Sequence, residues 1–266
     1  MADPQIIDEA AARLAGAYET RRPCPPVRDL LGPDDVDAAY AVQARMTESW
    51  LAGGRRLVGC KIGLTSRAVQ QQFGVDQPDY GVLFADMALA DGEEVPAGAL
   101  IQPRVEGEIA FRLGSDLNED RLTVSDLMEA IDHAVAAIEI VDSRIEGWNI
   151  RIADTVADNA SSGRFAIGSD PRRLGSFDIR LCGAVLEQNG QPVSFGAGAA
   201  SLGNPLFATL WLARRMIAAG RPLRAGDIVM SGALGPMVPA RPGDSFELRI
   251  NGVGSVRTAF AAAPSR

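Results

Sequence analysis

Pro103-Arg104-Val105-Glu106-Gly107-Glu108-Ile109-Ala110-Phe111 continues a largely apolar run that opens at Ile101 and sets two carboxylates two residues apart within it. In a strand, side chains alternate between faces, so Glu106 and Glu108 project side by side while Val105 and Ile109 turn the other way. Two like charges that close repel, and burial strips water from both. A bridging cation relieves both costs, and an all-oxygen donor set suits a hard divalent ion such as Mg2+ or Mn2+.

A second run, Ala136-Ala137-Ile138-Glu139-Ile140-Val141-Asp142-Ser143, carries Glu139 between two isoleucines. Taken alone it reads as a half-buried strand with Ile138 and Ile140 in the core and Glu139 facing solvent beside Ala137 and Val141. Paired with a Glu-x-Glu strand, it points instead to a metal site of three carboxylates.

The surrounding pattern is that of strands from Leu57 onward. Leu57 to Leu64 reads as a strand with Lys61 inside it, followed by a short helix after Ser66 that ends at Gly74. Asn189-Gly190 and Asn251-Gly252 signal hairpins, and Ser245 to Ile250 reads as the last strand before the second of them. One helix interrupts this β-rich half, capped by Asn204 and Pro205, ending near Gly220, with Phe207, Leu210 and Trp211 on its apolar face. Gly196 to Gly203 is glycine-rich but lacks the Gly-Lys-Ser/Thr ending of a phosphate loop and the GxGxxG spacing, so it reads as a turn before that helix.

The N-terminal part is helical. Asp3 caps a segment with Pro4 in its first turn and Ile7, Ala10, Leu14 and Ala17 on one stripe, and Pro23 to Pro26 ends it. A second amphipathic helix runs from about Asp34 to Leu51, with Val36, Tyr40 and Met46 inward, and stops at Gly53-Gly54. These helices look like a lid or flank. The expectation is an α+β fold in one compact unit, with residues 1–56 a helical extension and residues 57–266 a β-rich catalytic part.

The chain has 266 residues, 47% of them hydrophobic and 23% charged, the proportions of a globular protein with a sizeable core. Its net charge of -8, with no basic run, argues against a nucleic-acid partner. Cys24, Cys60 and Cys182 are odd in number and far apart, which fits neither a disulfide framework nor a zinc knuckle and suits a reducing cytoplasm. No leader or membrane-spanning stretch is legible, so a cytoplasmic protein is expected. His133, the single histidine, excludes a multi-histidine zinc site; no nucleophile motif stands near it, and it reads as structural.

With the carboxylates and Lys61 in view, the chain from about Tyr40 to its C-terminus resembles the 2-oxopent-4-enoate (2-hydroxypenta-2,4-dienoate) hydratases of aromatic meta-cleavage pathways. The stretches that carry the resemblance are Lys61 to Ser66, Gly74 to Gly81, Gln102 to Ala110, Asp154 to Ser161 and Ser231 to Met237. It implies a fumarylacetoacetase C-terminal-like mixed β-roll with peripheral helices. It also implies Mg2+ or Mn2+ on Glu106, Glu108 and Glu139, Lys61 and Asp79 as acid-base residues, and Ser161 in the substrate pocket. Members usually carry Pro-Ala-Leu-Glu where this chain has Ala136-Ala137-Ile138-Glu139; the ligand itself is kept.

Without the resemblance, Lys61 reads as a strand lysine reaching solvent along its stem, Asp79 in Gln77-Pro78-Asp79-Tyr80-Gly81 as a turn residue, and Asp158 to Ser161 as a capped loop. The expected substrate is a small 2-hydroxydienoate or its 2-oxo tautomer, and the pathway partner an aldolase or decarboxylase. A homo-oligomer is expected too, because such proteins form rings and a mean hydropathy of +0.03 leaves apolar surface to bury. Three rivals stand beside the hydratase. They are a 4-oxalocrotonate-type decarboxylase of the same fold, a non-catalytic partner of one, and a C–C bond hydrolase, which would want a better-placed histidine than His133.

Overall fold

A computed structural model describes residues 3–73 and 75–263. Three helices come first: α1 (Pro4–Thr20), α2 (Arg28–Leu31) and α3 (Val36–Ala52). Asp3 caps α1 by accepting from the Gln5 amide, and the chain leaves the helix through Arg21 in the left-handed region. Asp35 caps α3, whose inward face is Ala38, Ala39, Val42, Gln43, Met46 and Thr47; Val36 and Tyr40, expected inward, are only half-buried. The fourth helix ends at Phe73, and the expected stop at Gly74 lies outside the described residues.

The remaining elements in chain order are β1 (Leu57–Gly63), α4 (Arg67–Phe73), β2 (Asp79–Phe84), β3 (Ala88–Leu89), β4 (Glu94–Val95), β5 (Pro103–Leu113) and α5 (Val124–Ala130). They continue with β6 (Ile131–Asp142), α6 (Ile152–Ala157), β7 (Ser162–Ile167), β8 (Gly183–Gln188), β9 (Gln191–Ala197) and α7 (Pro205–Ala218). The chain closes with β10 (Ile228–Met230), β11 (Val238–Pro239), β12 (Ser245–Ile250) and β13 (Gly254–Phe260).

Two sheets result. The larger has the order β2-β1-β10-β5-β6-β7-β3, with β11 also on β5; the smaller runs β4-β13-β12-β8-β9. The sheets meet through the odd-numbered face of β5: Val105 and Ile109 are fully buried, and a Cβ at Gly107 would lie 2.5 Å from Leu248 of β12. A side chain at 107 would push Leu248 aside, and glycine lets the two sheets pack closely here. Both expected hairpins form: β8 and β9 join at Asn189-Gly190, both at positive φ, and β12 turns into β13 around Gly252.

A second apolar cluster gathers α1, α2 and α3 with Ile145 and four residues of α6, Ile152, Ala153, Val156 and Ala157. On α7 the buried face is Leu206, Leu210, Leu212, Ala213 and Met216. Phe207, expected there, is exposed, because the helix packs one residue further round than the aromatic positions suggest. His133 is half-buried on β6 against Asp132. The three cysteines are buried and free, and no described helix is long and apolar enough to cross a membrane.

Candidate active site and metal centre

Strands β5 and β6 pair antiparallel with Glu106 directly opposite Glu139 and Glu108 opposite Ala137. Alternation then brings all three carboxylates to one face, where one oxygen from each lies within 4.8 Å of the others. Glu139 does not face solvent: it, Ala137 and Val141 are all buried.

Glu108 Oε2 accepts from the Gly232 amide at 2.9 Å. Glu108 Oε1 and Glu139 Oε1 are buried with no hydrogen-bond partner, although Lys61 Nζ stands 3.2 Å from the latter at ion-pair distance, outside hydrogen-bonding alignment. Unpartnered buried carboxylate oxygens converging on one point are costly for a folded chain unless a cation completes them. The donor set fits a hard divalent ion.

Protonation reports the same strain. Burial, and then the charge of Glu139, raise Glu106 to about 7. Burial, Glu139 and Glu106 together push Glu108 well above the usual carboxylate range. At Lys61 burial acts downward, but Glu139, Asp79, Glu106 and Glu108 outweigh it and the ammonium is held above its ordinary value. A divalent ion on the carboxylates would cancel the charges that hold it there.

Lys61 is not a lysine reaching solvent, nor is Asp79 an exposed turn residue; both are buried. In the β1–β2 ladder Asp79 lies opposite Gly63 and Lys61 opposite Gly81. A Cβ on Gly63 would sit 2.2 Å from Asp79 Oδ1 and 3.5 Å from Lys61 Nζ, so both groups reach into the space this glycine leaves. Thr155 Oγ1 donates to Asp79 Oδ2 at 3.5 Å, while Asp79 Oδ1 has no partner. Burial raises the Asp79 carboxyl, and Lys61 only partly offsets it.

Ser161 arrives by a strained route. Asn159, Ala160 and Ser161 all take positive φ, near 50°, in one left-handed turn between α6 and β7. Such backbone persists only where the surroundings fix it. Here Asn159 brackets Val82, accepting from its amide at 2.7 Å and donating to its carbonyl at 2.9 Å. Arg144, 1% exposed, donates to Asp158 Oδ1 and to the Asp158 and Ser162 carbonyls. Ser161 Oγ consequently faces Thr155 Oγ1 at 3.5 Å.

These side chains share a cavity of about 630 Å3 that Lys61, Asp79, Glu106, Thr155 and Ser161 line at its polar end. Thr65 and Ser66 also line it, and apolar residues, among them Leu64, Ile150, Trp148, Phe195 and Met237, form most of the rest. Phe195 and Met237 are exposed and mark the mouth. Lys61 is the one cation among the described lining residues.

The Fumarylacetoacetate (FAA) hydrolase C-terminal family matches residues 59–261. The chain belongs to this family. Within the fumarylacetoacetate hydrolase family it is 63% identical over 238 residues to the TodF product hydratase of Pseudomonas putida, covering 90% of this chain and 89% of the relative. It is 56% identical over 254 residues to 2-keto-4-pentenoate hydratase 1 of Dechloromonas aromatica, covering 96% and 97%. Among solved structures, 4-oxalocrotonate decarboxylase from Pseudomonas putida G7, complexed with magnesium and adipate, superposes with a TM-score of 0.91 at 35% identity, covering 96% and 97%. The mixed β-roll with peripheral helices expected of the family is the fold found.

All six residues singled out from the sequence, Lys61, Asp79, Glu106, Glu108, Glu139 and Ser161, meet at this site of the fumarylacetoacetate hydrolase chain. Sequence reading gave no role to Thr155, Gly63, the Gly232 amide or Gln43. Thr155 stood inside the quoted Asp154 to Ser161 stretch, and Gly63 inside Lys61 to Ser66, so the signal was there without its geometry. Gln43 of α3 had none; it donates to the carbonyls of Tyr80 and Val156 at 2.8 and 3.0 Å, tying β2 to α6 directly behind Asp79 and Thr155.

Proposed function

We infer that this chain is a hydro-lyase that adds water to a 2-hydroxyalka-2,4-dienoate of the 2-oxopent-4-enoate type, giving a 4-hydroxy-2-oxo acid in aromatic meta-cleavage catabolism. The hydratase relatives support the reaction. The observation that carries it at the site is Asp79, a buried carboxylate with a free oxygen in the same cavity as the three-carboxylate centre.

Glu106, Glu108 and Glu139 would hold Mg2+ or Mn2+, supplying a Lewis acid for the carboxylate and C2 oxygen of the substrate. Lys61 moves protons between substrate oxygen and carbon, and Ser161 contacts the substrate. Once the dienol is in its 2-oxo-3-ene form, Asp79 takes one proton from water as the water oxygen bonds to C4, and Lys61 delivers a proton to C3. Solvent returns the proton from Asp79 to Lys61, so one water is consumed and the residues are restored.

Residues 1–56 serve as a helical extension backing a catalytic unit of residues 57–266. The protein works as a cytoplasmic homo-oligomer beside an aldolase or decarboxylase of the same pathway. The decarboxylase alternative draws support from the 35% identical structure, but its substrate carries a second carboxylate, and this lining offers only Lys61 as a cation. The test is to follow dienoate absorbance with purified protein, metal-free and with Mg2+ or Mn2+, on 2-hydroxypenta-2,4-dienoate. Parallel reactions with 4-oxalocrotonate are assayed for CO2. Metal-dependent formation of 4-hydroxy-2-oxopentanoate is expected; CO2 release without hydration would overturn the reading.

A further inference from the structure

A second cavity, of about 480 Å3, lies among α3, α6, α7 and the segment before β2. Asp79 is the single residue common to its lining and that of the main cavity. Its rim is exposed and polar, with Asp34, Asp76 and Gln77, and its floor is buried, with Pro78, Asp79, Ile152 and Val156. Half-buried Tyr40 and Arg215 stand between, the guanidinium 5.6 Å from the centre of the Tyr40 ring. A space far above the roughly 10–15 Å3 that admits one water, with several polar side chains to hold it, is a hydrated one.

Hydration needs two substrates in place together. On the hydratase reading the dienoate occupies the main cavity, and because Asp79 lines both cavities, water that comes through the second one reaches it without passing the dienoate. We propose that the second cavity is the inlet for the reacting water, delivering it to Asp79 from the α3–α6 side after the dienoate has bound. This rests on the hydratase reading and assigns the helical extension a part in it, since Asp34, Val36 and Tyr40 form one wall of the inlet.

Val36 is half-buried on that wall and Asp34 exposed at the rim, and both line the inlet. Val36→Trp and Asp34→Trp narrow the inlet, and Val36→Ala leaves it open. The expected result for the Trp variants is a fall in hydration kcat of about tenfold or more, with KM, Mg2+ affinity and deuterium incorporation at substrate carbon unchanged. Val36→Ala should hydrate as the parent does. Parental hydration rates in both Trp variants overturn the inlet, as does an equal loss of hydration and deuterium incorporation, which would report general damage. A parent protein that hydrates no dienoate removes the hydratase reading itself, a result distinct from either.

Discussion

Gly63 stands directly across the β1–β2 ladder from Asp79, and the side chain it lacks would collide with Asp79 Oδ1 at 2.2 Å. The carboxylate keeps its place in the cavity because its neighbour has no Cβ. Gly63→Ala should therefore turn Asp79 aside rather than unfold the strand. A displacement of that size lowers kcat by about 100-fold where geometry governs the reaction. Hydration kinetics together with Mg2+ titration check this; a Gly63→Ala protein with parental kcat would show that Asp79 need not occupy this position.

Lys61 and Asp79 should separate by reaction step. Lys61→Met keeps the buried stem and removes the proton carrier, so hydration and deuterium exchange into substrate carbon both fall by about 100-fold or more. Asp79→Asn fits the same space and should abolish hydration while exchange persists. NMR of substrate in deuterium oxide, beside the absorbance assay, reads both. Unimpaired hydration in Asp79→Asn would return Asp79 to a structural role.

Chelation should make stability depend on pH in one direction. Glu106 is raised to about 7 and Glu108 is raised as well, both chiefly by burial. A folded-state value above the unfolded one means that the favourable contribution of the protonated group is full below the unfolded carboxylate range. It is lost as pH rises through about 7 for Glu106. Metal-free protein should accordingly melt lower at pH 8 than at pH 6, and Mg2+ should remove that drop while its binding releases protons. Melting curves with and without chelator, and calorimetry in two buffers of different ionisation enthalpy, measure the two effects.

Gln43 ties the helical layer to the site through two carbonyls. Gln43→Met preserves volume but removes the amide donor from both carbonyls, a loss of about 1–3 kcal/mol for each acceptor left unsatisfied. Reduced Tm with lowered kcat and unchanged Mg2+ affinity is expected, because the carboxylates lie on β5 and β6, away from the clip. Denaturant unfolding and metal titration on the same preparation decide it.

Local pattern by itself determined much of this protein. The Glu-x-Glu alternation placed Glu106 and Glu108 on one face, Asn-Gly pairs fixed the hairpins, and Asp3-Pro4 and Asn204-Pro205 fixed two helix starts, since each rests on backbone geometry within a few residues. The wider motifs carried the fold and named the six residues of the candidate site. Only the tertiary structure decided what those residues meet. Glu139 alone read as solvent-facing, and Phe207 as core, because exposure depends on which neighbour covers a face, something no local spacing encodes. Lys61 and Asp79 looked like surface residues until the β1–β2 register set Gly63 against Asp79 and the sheet order β1-β10-β5-β6 brought the ammonium to Glu139. The left-handed turn at Asn159 to Ser161 is held by Val82 and Arg144, partners from elsewhere in the chain, and the cavity behind Asp79 exists only where α3, α6 and α7 converge. Those relations join groups distant in sequence, and packing alone sets them.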